Sequence, residues 1–94
     1  MKAKMMGAAK RLTDIPNIGP SIAADLASIG IKEPHDLIMK EPHDLYVLLS
    51  AATGRRQDPC VLDTFMAAVD FMNGGDARPW WHFTPLRKRQ YPDL

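Results

Sequence analysis

A single cysteine, Cys60, stands in 94 residues. That excludes an internal disulfide and agrees with a reducing compartment. No apolar run reaches the length that spans a bilayer, and the first ten residues lack the apolar core of a signal peptide. A cytoplasmic address is therefore expected. No segment sustains period-two alternation of apolar and polar residues, so no sheet is expected. A phosphate-binding glycine loop, a paired-cysteine zinc motif and a Gly-x-Ser-x-Gly elbow are also missing. His35, His43, His82 and Cys60 lack the clustering of a zinc site, and no acidic pair stands beside a plausible base. The expectation is no metal, no cofactor and no catalysis. The remaining composition, 46% apolar and 24% charged, is that of an ordinary globular domain with one modest core.

The chain is organised around residues 12–27, LTDIPNIGPSIAADLA. Pro16 limits a short preceding helix, Asn17 and Gly19 tolerate left-handed backbone, and Pro20 suits the first position of a second helix. Ile15, Ile18, Ile22 and Leu26 fall on one side of the turn and hold the two helices together. The N–H groups after Gly19 then lie at a helix N-terminus. Unpaired donors and the positive end of the helix dipole suit that end to a phosphate oxygen.

Ile15-Pro16-Asn17-Ile18-Gly19-Pro20-Ser21-Ile22-Ala23 resembles the helix-hairpin-helix motif of DNA-binding proteins, whose hairpin usually reads hydrophobic-Pro-Gly-hydrophobic-Gly-Pro. Asn17 replaces the first hairpin glycine, and Ser21 stands where many members carry Lys or Arg. Further on, Gly54-Arg55-Arg56-Gln57-Asp58-Pro59-Cys60-Val61-Leu62-Asp63 and Trp80-Trp81 resemble the small bacterial pathogenicity-locus family, whose members are often labelled mitomycin resistance proteins. The resemblance implies an all-α, SAM-like bundle of five helices with tandem helix-hairpin-helix motifs, the second degenerate around residues 54–59. It also implies DNA-phosphate contact through Asn17, Ile18, Gly19, Ser21 and Ile22, helped by Lys10 and Arg11.

Element by element, residues 4–13 are expected to form the first helix, with Met5, Met6, Ala9 and Leu12 inward. Residues 20–28 form the second, stopped by Gly30, with Ile29 or Ile31 folding back over it. Lys32-Glu33-Pro34-His35-Asp36-Leu37 recurs eight positions on as Lys40-Glu41-Pro42-His43-Asp44-Leu45. Each copy reads as a helix start, the first giving a turn or two and the second running to Gly54. The last long helix is capped by Asp58, carries the stripe Val61, Leu62, Phe65, Ala68, Val69 and Met72, and ends at Asn73-Gly74-Gly75. Residues 1–76 are thus the helical domain. Residues 77–94 are expected as an extended aromatic and basic tail packed on it, with Trp80, Trp81 and Phe83 either pinning it or stacking on bases.

Net charge is +1, unevenly spread. Lys2, Lys4, Lys10 and Arg11 open the chain without a carboxylate, residues 14–76 set ten carboxylates against four cations, and Arg78, Arg87, Lys88 and Arg89 face only Asp93. A nucleic-acid surface has to include one of the basic ends, although such ends also serve merely to keep termini solvated. The function expected is weak, sequence-independent, non-catalytic DNA binding. A protein-interaction scaffold on the same fold is the alternative. A third reading makes Cys60 a reactive thiol at a helix N-terminus near Arg55 and Arg56, against which burial as a small core hydrophobe is preferred.

Overall fold

The computed structural model describes residues 2–94, and among them every regular element is helical. The α-helices are α1 (Pro20–Ser28), α2 (Pro42–Thr53), α3 (Pro59–Met72) and α4 (Thr84–Gln90). Short 3-10 turns occupy Met6–Ala8, Leu12–Asp14, Pro34–Leu37 and Trp80–Phe83. Four α-helices therefore stand where five helices were expected.

The core is built on α3, in which Leu62 to Val69, Phe71 and Met72 are all buried. Leu26 of α1, Leu45, Tyr46 and Leu49 of α2, and Phe83 belong to the same cluster, together with Ile15, Ile18 and Ile31. Asp58 caps α3 by accepting the Cys60 N–H at 2.8 Å. At the C-terminus of α1, Gly30 lies at φ +93° and the Ile31 N–H reaches the Leu26 carbonyl at 2.9 Å. Ile31 is buried there, the fold-back expected of this cap.

The expected first helix is corrected. Residues 4–13 are not a helix, because the Asp14 carboxylate accepts the N–H groups of both Lys10 and Arg11 at 3.0 Å, with Arg11 extended at φ −126°. Donors captured by a side chain are lost to a helix ladder. Met5 is consequently exposed rather than inward. Asp36 repeats the device on Lys32 and Glu33 at 3.1 Å, so the first copy of the recurrent hexapeptide makes only a 3-10 turn.

The tail is helical rather than extended. Pro85 occupies the first turn of α4, where its missing N–H costs nothing. Phe83 and Arg87 are buried and Trp80 is half-buried, whereas Trp81 is exposed. The tail is thus pinned by Phe83 and Arg87, with Trp81 left out.

Candidate nucleic-acid interface

The hairpin between Leu12–Asp14 and α1 is anchored by Ile15 and Ile18, both fully buried. Asn17 takes the left-handed conformation, φ +74°, which its short polar side chain tolerates. Gly19 does not: it sits at φ −91° and ψ −179°, extended backbone open to any residue. A Cβ built on Gly19 meets nothing within 4 Å. No side chain caps α1, and the N–H groups of Gly19, Ser21 and Ile22 have no intramolecular acceptor among the described residues. Three donors at the positive end of a helix are therefore unpaired, beside the open space at Gly19.

Ile18 is corrected as a phosphate donor, because its N–H is bonded to the Ile15 carbonyl at 3.1 Å and its side chain lies in the core. Asn17 is corrected in role. Its side-chain amide donates to the Arg78 carbonyl at 2.8 Å, and its side-chain oxygen accepts the Trp80 N–H at 3.2 Å. The side chain is a clip between hairpin and tail, made across more than sixty residues and invisible to local pattern.

The cations are also redistributed. Lys2, not Lys10, reaches the hairpin: its Nζ donates to the carbonyl of Thr13 at 2.6 Å and to that of Ile18. Burial lowers the Lys2 pKa, partly offset by the charge of Asp14. Lys10 and Arg11 lie along the flank of α1 instead, lining with Ala23, Ala27 and Lys32 a groove of about 500 Å³. Arg11 is 3.6 Å from Asp14 and mostly exposed. The hairpin is thus met by the Lys2 side chain and by the main chain of Arg78, whose guanidinium lies by Asp76 and His82 instead.

The match to the family described as Pathogenicity locus spans residues 6–89, from the first 3-10 turn through α4. The chain belongs to that family. A curated relative, the mitomycin resistance protein McrB of Streptomyces lavendulae, is 53% identical over 78 residues, covering 83% of this chain and 74% of the relative. No solved structure matches.

Cys60 corrects the expectation of burial, for it is exposed. Its pKa is raised, first by a hydrogen bond to the Asp58 side chain and then by burial and the charges of Asp58 and Asp63. The helix N-terminus therefore does not lower the thiol pKa, because the capping Asp58 carboxylate beside it and burial act in the opposite direction. Among the described residues no group of three His, Cys, Asp or Glu side chains is placed to hold a metal.

Proposed function

We propose that residues 12–27 work as a helix-hairpin-helix unit that binds the DNA backbone without sequence preference and without catalysis. In this reading α2 and α3, joined through residues 54–58, form the degenerate second copy of the motif. The observation that carries it is the bare N-terminus of α1, with three unpaired N–H groups behind a glycine whose missing side chain leaves the approach open. Ser21, exposed beside them, adds its hydroxyl. Lys2, Arg78, Lys10 and Arg11 supply positive charge around the contact.

The test is a titration of labelled duplex DNA at two salt concentrations. Affinity is expected near the roughly 10⁻⁴ to 10⁻⁶ M of non-specific binding, with a salt dependence reporting about two or three phosphates. Gly19→Glu is expected to abolish binding at unchanged melting temperature, because its backbone angles and surroundings accept a side chain. Extending the relative's name to this chain, we propose that the contact serves mitomycin resistance, restored in a sensitive host by wild type and not by Gly19→Glu. Absence of binding to duplex, branched and single-stranded DNA at low salt transfers the proposal to a protein-interaction scaffold. The exposed Met39, Val47 and Leu48 favour that second reading.

A further inference from the structure

On the side of the core formed by α3 and α4, an open groove of about 330 Å³ runs between α3, α4 and the start of α2. Its volume reaches the lower end of ligand pockets, about 300 to 1,000 Å³. Leu62, Met66, Phe83 and Leu86 give it an apolar lining. His43 and Tyr91 line it as a parallel stack, with centroids 4.3 Å apart and planes within 6°. Glu41 and Asp70 also line it and are exposed, neither with a salt-bridge partner among the described residues, Asp70 at the rim with its carboxylate against Gly75. No Lys or Arg lines the groove, although the chain has twelve.

We propose that this groove binds a small organic cation with an aromatic or other apolar body. The body displaces water from the Leu62, Met66, Phe83 and Leu86 surface, and the charge sits by Glu41 and the Tyr91–His43 stack, with Asp70 at the rim. An organic anion is disfavoured by the same two carboxylates, and a simple metal ion gains nothing from the apolar lining. The negative field already acts on the groove's own residues: the Tyr91 hydroxyl pKa is pushed up by burial and then by Glu41 and Asp44. The proposal is independent of DNA binding, since neither the hairpin nor any cation beside it lines this groove.

The probe is benzyltrimethylammonium, titrated into the isotope-labelled full chain and followed by amide chemical shifts. Saturable shifts are expected at residues 41–43, 66–70 and 86–91. Tetramethylammonium lacks the ring and benzyl alcohol lacks the charge, so each should bind several-fold more weakly. Glu41→Gln with Asp70→Asn should weaken the probe about tenfold, the sum expected of two exposed charge contacts. Glu41 makes no capping bond with its side chain, so Glu41→Gln alone keeps the fold and should show part of that loss. Asp25→Asn on α1 should change affinity less than about twofold. No saturation at about 20 mM probe, equal binding of benzenesulfonate, or an Asp25→Asn effect matching that of Glu41→Gln overturns the proposal.

Discussion

Cys60 separates exposure from reactivity. The residue is exposed, yet the Asp58 carboxylate that caps α3 stands beside it, raises the thiol pKa and keeps the nucleophilic thiolate scarce at neutral pH. Iodoacetamide is expected to label the folded protein more slowly than free cysteine at pH 7, at a rate unaffected by denaturant below the unfolding transition. Asp58→Ser retains a capping oxygen but removes the charge, and should speed labelling several-fold. A labelling rate that follows global opening would show the thiol to be covered. At this scale the sequence was legible wherever backbone conformation is a local property of the residue type. Gly30, Gly54 and Asn17 all have the left-handed angles their types invite. Gly19 does not: it is extended, with open space where a side chain would stand. Cys60 was misread because burial depends on what the tail covers, and the tail covers Asp63 instead.

Between elements, the strongest link joins α3 to α4. Asp63 is fully buried, with Arg87 Nε 2.8 Å from one carboxylate oxygen and the Thr84 hydroxyl donating to the other at 2.8 Å. Asp63 also raises the Arg87 pKa, through its hydrogen bond more than through its charge. Arg87→Ala leaves a buried carboxylate without its counter-charge and should cost about 3 to 5 kcal/mol. Replacing the whole set, with Asp63→Leu, Thr84→Val and Arg87→Met together, should bring stability back to within about 1 kcal/mol of wild type or above it. Urea denaturation of the variants checks both, and equal losses for the single and the combined change would refute the buried-charge account. The helix starts at Pro20, Pro42 and Pro59 were legible because proline and capping chemistry act within one turn. The Asp63 link was not, since in the sequence Asp63 is one of eleven dispersed carboxylates and Arg87 one of a basic cluster. The turn carboxylates add an acid limb to stability. Asp14, Asp36 and Asp58 have folded pKa values lowered, first by hydrogen bonds from the N–H groups of Arg11, Lys32 and Cys60 respectively. Lowered folded values mean that this stabilisation is complete above the ordinary carboxylate value of about 4 and is lost as pH falls below it. The melting temperature should therefore drop steeply below about pH 4, and less steeply in Asp36→Asn.

The whole molecule is one body, with a radius of gyration of 12.2 Å against about 12 Å for a packed chain of this length. The tail packs on the rest of the chain at this scale, with Phe83 in the core and Leu86 of α4 against it. The same packing resolves the charge pattern. An acidic middle between two basic ends repels a polyanion, so the proposed contact depends on the cations nearest the hairpin, Lys2 by its side chain and Arg78 by its place in the main chain. Arg78 offers a clean test, since the hairpin holds its carbonyl rather than its guanidinium. Arg78→Ala keeps the Asn17 bond to the main chain and removes the cation, whose contacts with the exposed Asp76 at 3.4 Å and with His82 Nε2 at 3.3 Å are of the weak surface kind. On duplex DNA it should weaken binding equally for any sequence and lower the slope of log affinity against log salt by about one. Lys10→Ala, along the flank of α1, should do the same to a similar or smaller extent, and the double variant should add the two losses, because the residues share no partner. Lys88→Ala on α4, outside the hairpin, should leave the slope unchanged. If all three cations lowered the slope alike, DNA would be held by diffuse charge over the surface, and the hairpin would lose its claim to be the contact.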